Sequence, residues 1–575
     1  MNAYAIAIAV AVLVYVVIGN YAGRKVKHLD DYFVAGRRAP TFLIVGTLVA
    51  SVVGTNTFLG EVGFTYSGYA AAHILSTAVA LLGYIVGALF FGRYIRRARA
   101  ATVAEFFGNR FQSRRVRVFA AFTVILGIGG YLMTVTQGAA LIVTWVTDIS
   151  YTTALIAVWA GYTAFTIYSG SRGVVITDTL MFLLFATVGI TAVYFISDSA
   201  GGWVHSISQL ANFEPRPGII GADGYTGPGG SWSSTADMWT WAAIMAVAWA
   251  IVFGISPWQS SRYLMARDEH VVVRSACITI CVMTVLWPTV YISGPLIALL
   301  NPSIEPNNTA MIWAANNAMP TVVGAILLAG IVSAGLSSAS TFMTLIGFAI
   351  SNDVIDDPAA SDSSRLKVSR ITMLAVGLVT LAFAMVVPPD VFWITFMVAT
   401  MFAASWGPVA FMSVWSKKIT EAGAFWGLVT GFIGYVIPKS LVLLNIISLP
   451  AWLDPLLLGF VISLVTVIAV SSATTVTAEE NDYRESLHVP PPELTDAKAA
   501  QLTMIWPRFM MLLGTVLSVL LVIFYARPYQ LATGAVTGSW PFVVWTWELF
   551  LAIAFGGVIV CGGLFAQWAM RRFYA

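Results

Sequence analysis

Charge is scarce in this chain. Only 10 % of its 575 residues are Asp, Glu, Lys or Arg, against about 25 % in a typical soluble domain, so an ordinary water-facing surface cannot be assembled from it. Cysteine is scarcer still. The three thiols, Cys277, Cys281 and Cys561, exclude a disulfide scaffold, and all fall within apolar runs. Cys277 and Cys281 stand one helical turn apart, a spacing that suits packing, and all three read as inert core thiols. The five histidines, His28, His73, His205, His270 and His488, form no H-x-x-x-H or Cys/His grouping, which removes the common metallohydrolase motifs. No nucleophile–base pair falls within the apolar runs either, so an enzyme is not expected. A repeated pore loop or a ring of charge, the mark of a channel, is also missing. The net charge of +3 gives no reason to expect nucleic acid as a partner.

What the chain has is hydrophobic length. Hydrophobic residues make up 58 % of it and its mean hydropathy is +0.83. A membrane-crossing helix needs about 20 mostly apolar residues. Fifteen blocks meet or approach that length: 3–22, 41–68, 70–92, 117–146, 151–170, 173–198, 238–260, 272–300, 321–350, 371–388, 391–416, 422–447, 451–472, 508–525 and 542–568. If successive connections alternate between two sides, all but three of the 30 Lys and Arg fall on one side. The exceptions are Arg216 and Arg527 opposite, and Lys439 inside a block, from which it would snorkel to the outer interface. Basic residues stay cytoplasmic, so the N-terminus is expected outside and the C-terminus inside. The opening MNAYAIAIAV lacks a basic n-region and reads as a retained helix rather than a signal peptide. An integral multi-pass protein in contact with membrane lipid is expected, in a bacterial inner membrane.

Two of the blocks are interrupted. Block two carries Gly54, Thr55, Asn56 and Thr57 at its middle, and block seven carries Gly254 and Pro257. Either could be a kink lined with small packing residues. They lie five blocks apart, however, and two tandem five-helix units are necessarily inverted. Interruptions at matching places in two halves point to a transporter's midplane site. The expected organisation is therefore an N-terminal helix and basic loop (1–40), a first five-helix repeat (41–198) and an external loop (199–237). A second, inverted repeat (238–416), two further helices (417–472), a cytoplasmic linker (473–507) and two C-terminal helices (508–575) follow. The fold class is all-α polytopic, a five-plus-five core with one extra helix before it and about four after it.

In block nine, Ala334, Ser337, Ser338 and Thr341 share about a 100° arc of one helix, with Ser340 beside it. Such an oxygen-rich face suits a hard cation, and equally suits close packing with back-bonded hydroxyls. Asp178 is a carboxylate within a span, a functional candidate by default. Glu61, after the interruption in block two, is expected to be structural or part of a gate. Asp353 is read as a local contact at the inner end of block nine, and His73 as a structurally satisfied histidine near the outer start of block three.

Six segments in order resemble the sodium:solute symporter family: DDYFVAGRRAP (30–40), ASVVGTNTFLGEVGF (50–64), GVVITDTLMF (173–182), PWQSSRYLMARDE (257–269), AGIVSAGLSSASTFMTLIGFAISNDVI (329–355) and GPVAFMSVWSKKITEAGAFWG (407–427). The resemblance covers about residues 20–440. It implies the five-plus-five inverted-repeat fold of the bacterial leucine transporter. It also implies sodium-coupled symport of a small organic solute (an amino acid, a monocarboxylate or similar) by alternating access. Carried over, the main sodium ligands are the carbonyls of Ala50, Val53 and Ala334 and the hydroxyls of Ser337 and Ser338. In sialic-acid-type members a matching carboxylate and two hydroxyls bind a second sodium, which here implies Asp178, Ser340 and Thr341. The coupling ion is thus Na+, one or two per cycle. The interrupted block two should present Gly54, Asn56 and Thr57 to solute, with Tyr131 and Gln137 from block four and Trp249 and Phe253 from block seven. Tyr131, Trp249 and Phe253 match aromatic positions of proline-type members. Val52 stands where many members have an Asp. Sodium-independent or proton-coupled transport, or a sensor of solute, are the alternatives.

Overall fold

The computed structural model describes residues 2–221, 234–355, 359–538 and 540–574. Residues 222–233 of the expected external loop (199–237) lie outside the described residues. Hydrocarbon offers no partner for backbone N–H and C=O groups, so apolar runs of this length close their hydrogen bonds within helices. The main helices are α1 (Ala3–Gly23), α2 (Thr41–Ala50), α3 (Asn56–Glu61, wound in wide π turns), α4 (Ala70–Ala98), α5 (Arg114–Thr147), α6 (Tyr151–Ser199), α7 (Thr235–Ile255), α8 (Pro257–Met265) and α9 (Glu269–Leu300). They continue with α10 (Thr321–Phe348), α11 (Asp362–Val386), α12 (Val391–Trp415), α13 (Glu421–Leu443), α14 (Pro455–Ala473), α15 (Ala478–His488), α16 (Ala497–Leu521) and α17 (Trp547–Tyr574). Polar side chains set where many of them begin. Ser113, Ser150, Asp268, Ser361, Asp390 and Thr420 each accept a bond from a first-turn N–H.

Among the described residues, 13 helices are long and apolar enough to cross a membrane, against fifteen expected blocks. The difference is accounted for at two places. Blocks 151–170 and 173–198 run together as the 49-residue α6, broken only at Gly170 (φ 54, ψ −151), a backbone conformation that glycine adopts without penalty. Block 41–68 is divided into pieces, each too short to count alone.

Both expected interruptions are real breaks in the chain. α2 ends at Ala50, the chain leaves helical geometry through Val53 and Gly54, and winding resumes at Thr55. α7 stops where Ser256 turns extended (φ −58, ψ 147), and Pro257 starts α8. Proline lacks an N–H and has a fixed φ, which suits a first helical position. The basic loop before α2 pairs with the chain after α8, where Ala39 N donates to Met265 O (3.1 Å) and Arg267 N to Ala39 O (3.0 Å). α4 lies in backbone contact with α7, because Gly83 and Gly87 have no Cβ. An added Cβ there would sit 2.0 Å from Ala250 O and 2.3 Å from Gly254 Cα.

The 473–507 connection is more than a linker. It contains α15, opened by a capping box between Thr477 and Glu480. Arg110, at the end of the short helix Val103–Arg110, holds it by donating to Glu480 O (3.0 Å) and to Ser413 O (2.6 Å). Burial pushes the Arg110 guanidinium down to about 10, and these carbonyl contacts make its burial tolerable.

Candidate functional site at the broken helices

The break after α2 faces the middle of α10. Ser337 Oγ lies 3.0 Å from Ala50 O and Ser338 Oγ 3.4 Å from the same carbonyl. Ala50, Val53, Ala334, Ser337 and Ser338 are all buried. Gly54 faces α10 too, since a Cβ there would lie 2.8 Å from Ser338 Oγ. The five residues implied as main sodium ligands thus come from two elements meeting at one unwound turn. Unwound carbonyls and short hydroxyls supply oxygen donors without a formal charge.

Asp178, on α6, sits one step further toward the basic face. Thr47 Oγ1 donates to Asp178 Oδ2 (2.6 Å), and Ser337 Oγ lies 2.9 Å from Asp178 Oδ1. Ser337 has one proton for two acceptors, Ala50 O and Asp178, so it couples the two groups. Thr341 Oγ1 is 3.5 Å from Asp178 Oδ2. Ser340 turns away and donates to Ser337 O (2.8 Å), so it does not join Asp178 and Thr341.

Arg262 on α8 completes this cluster, and it is the residue that sequence reasoning placed elsewhere. Counted among the basic residues of an inner connection, it is instead 1 % exposed, with Nη2 3.5 Å from Asp178 Oδ2 and bonded to Thr341 Oγ1. A signal was present: Arg262 is five residues past Pro257 within the apolar-flanked PWQSSRYLM run, where a restarted helix carries it inside the fold. Thr47 and Gln259, whose Nε2 donates to Ser51 Oγ (3.2 Å), were also missed.

A small cavity lies on each side of this centre. The inner one is lined by Arg262, Pro257, Ser171, Phe348, Thr102 and Asp353, among others. Its mouth is tied by Arg117 to Asp353 (3.0 Å), Thr102 to Asp353 (2.8 Å) and Asn352 to Glu105 (2.8 Å). The expected local contact of Asp353 is thus an ion pair at the base of α10.

The outer cavity takes Asn56, Trp249 and Phe253 from the expected solute set. His73, expected to be structural, also lines it, with Nε2 unpartnered among the described residues. Tyr131 packs its ring on Phe342 (4.4 Å) and Trp258 (5.7 Å), below that cavity. Thr57 is buried without lining it. Gln137 Nε2 donates to Ala384 O (3.2 Å) and Val387 O (2.7 Å) at the end of α11. Glu61, Trp241, Trp287 and Tyr291 contribute instead.

Paired helix breaks around a buried oxygen cluster, with a cavity on either side, define a secondary transporter of the inverted-repeat class. The chain belongs to the sodium:solute symporter family, whose model matches residues 32–431. It is 23 % identical over 512 residues to the sodium/proline symporter of Salmonella typhimurium, covering 83 % of this chain and 96 % of that one. It is 22 % identical over 440 residues to the sodium/pantothenate symporter of Escherichia coli, covering 74 % and 88 %. A solved Na+-coupled sialic acid symporter in a substrate-bound outward-open state shares the fold. The TM-score is 0.70 at 16 % identity, over 83 % of this chain and 99 % of that one. The protein is an integral multi-pass membrane protein, and sodium is the coupling ion of its family.

Proposed function

We propose that the chain moves one small organic solute with sodium by alternating access across a bacterial cell membrane. Sodium is held by the carbonyls of Ala50, Val53 and Ala334 and the hydroxyls of Ser337 and Ser338. The observation that carries this reading is the approach of two α10 hydroxyls to the Ala50 carbonyl at the point where α2 unwinds. Movement of α10 relative to the break would change that distance, so ion binding and helix arrangement are coupled.

Asp178 is the second cation position in this reading, with Thr341 and Ser337 beside it and with Ser340 excluded by its bond to Ser337 O. Arg262 holds the carboxylate when sodium does not, so guanidinium and cation are alternatives at one charge. The solute lies on the outer side, against Asn56, Trp249 and Phe253. The basic face is cytoplasmic, with the N-terminus outside. The relatives transport proline and pantothenate with sodium, which supports a compact solute with polar and apolar parts.

Uptake by purified protein in proteoliposomes, with an inward sodium gradient, tests the reading. Solute accumulation that collapses when sodium is equal on both sides is the expected result. Accumulation driven equally well by a proton gradient without sodium would overturn it.

A further inference from the structure

The outer cavity holds one carboxylate with no Lys or Arg beside it among the described residues. Glu61, at the end of α3, is buried, and the donors that reach it, among them Asn56 Nδ2 (3.2 Å) and the Tyr291 hydroxyl, are neutral. A buried carboxylate without a cationic partner is costly to keep ionised.

The walls around it are aromatic. Trp241, Trp249, Trp287, Tyr291, Phe392 and Phe396 all line the space. Trp241 stacks on Phe396 at 6.1 Å and Trp287 on Tyr291 at 5.9 Å. Aromatic faces carry negative potential and attract a desolvated cation. Three buried polar atoms at or beside the cavity, Asn56 Oδ1, His73 Nε2 and Trp287 Nε1, have no hydrogen-bond partner among the described residues. Asn56 Oδ1 is an acceptor on the residue that already holds Glu61, so an N–H donor placed between them would satisfy both.

We propose that the transported solute carries a positively charged nitrogen, an ammonium group on a compact body, and that Glu61 is its counter-charge inside the aromatic walls. The proposal rests on the symport reading of this same cavity and narrows its solute class. A simple monocarboxylate would bring a second negative charge beside Glu61 with no Lys or Arg among the described lining residues to offset it.

The test uses full-length purified protein, in buffer with and without sodium, and four probes of similar size. Pyrrolidine is protonated at neutral pH, cyclopentanol is its neutral counterpart, tetramethylammonium is a cation without N–H, and cyclopentanecarboxylate is the anion. Ligand-induced rise in melting temperature is read against concentration. Pyrrolidinium is expected to stabilise the protein where cyclopentanol and cyclopentanecarboxylate do not. Tetramethylammonium binding alongside it would support the same class through charge and aromatic walls. Glu61→Gln should raise the half-effective pyrrolidinium concentration by about tenfold or more, and Glu61→Asp, which keeps the charge, by less.

Equal binding of cyclopentanol and pyrrolidinium would mean that Glu61 is neutral and would overturn the proposal. So would preferential binding of the carboxylate, cation binding unchanged in Glu61→Gln, or no cation binding at all. The comparison of probes on the unmodified protein holds even if the Glu61 variants fail to fold. Sodium-dependent binding of the carboxylate alone would sink this proposal and leave symport standing. Cation binding indifferent to sodium would do the reverse.

Discussion

Arg262 and Asp178 form an ion pair in which neither partner reaches solvent: Nη2 and Oδ2 are 3.5 Å apart, and the side chains are 1 % and 0 % exposed. The guanidinium also bonds Thr341, and the carboxylate accepts from Thr47. The carboxylate at the centre of the fold therefore has a built-in counter-cation, and Arg262 also lines the inner cavity.

Removing one member of such a pair leaves the other uncompensated, a loss of about 3–5 kcal/mol. Asp178→Asn and Arg262→Gln should each lower the unfolding temperature more than the double variant does relative to either single one. Additive losses in a thermal double-mutant cycle would show that the pair is not coupled. The same variants report on sodium. Arg262→Gln removes the competitor at Asp178 and should lower the sodium concentration needed for binding. Asp178→Asn should bring the sodium Hill coefficient toward one. A coefficient of one in the unmodified protein would rule out the second cation position.

Ser337→Ala and Ser338→Ala each delete one hydroxyl facing Ala50 O and leave the helix able to pack. An interhelical hydrogen bond of this kind contributes about 0.6 kcal/mol on average, so folding should survive both changes. A hydroxyl that also binds the ion contributes more, and about 1.4 kcal/mol corresponds to a tenfold change in affinity. Half-maximal uptake is expected to need about tenfold more sodium in each variant. Unchanged sodium dependence in both would move the main site elsewhere.

The parts of this molecule legible in the sequence are those set by local pattern. The breaks at Gly54 and at Gly254/Pro257 announced themselves as polar or helix-breaking residues inside apolar runs, and both fall where expected. The hydroxyl arc of α10 was visible from spacing alone. What pattern could not show is long-range pairing. Glu61 meets Tyr291 across 230 positions, and Gln137 meets Val387 across 250, so one moved into the cavity and the other out of it. Arg262 was misplaced for a related reason. Charge sorting treats every basic residue as an orientation signal, whereas one paired with a buried carboxylate carries none.

The outer cavity separates residues that sequence reasoning grouped together. Trp249 lines it, while Gln137 is committed to the carbonyls of Ala384 and Val387. Trp249→Ala should raise the apparent KM for solute several-fold with little change in sodium affinity measured without solute. Gln137→Ala should leave KM near its original value and lower thermal stability by about 1 kcal/mol, the usual loss for a buried hydrogen bond. Equal effects of the two substitutions on KM would place the solute deeper than this cavity.

The arrangement of the two faces can be read with single cysteines at exposed positions. Gln209, on the short helix Trp203–Ala211 between α6 and α7, is exposed and falls in the connection expected to be external. Glu479, in the first turn of α15, is exposed beside the basic face, where Arg110 and Arg97 clamp that segment by bonds to Glu480 O and Leu487 O. The clamp holds α15 on the same side as Arg93–Arg117, and the two labels report opposite sides when α6 crosses twice, turning at Gly170. Basic residues mark the cytoplasmic side. Gln209→Cys in intact cells should react with an impermeant maleimide, and Glu479→Cys only after permeabilisation. Reaction of Glu479→Cys from outside would invert the map, and with it the assignment of which cavity loads solute first.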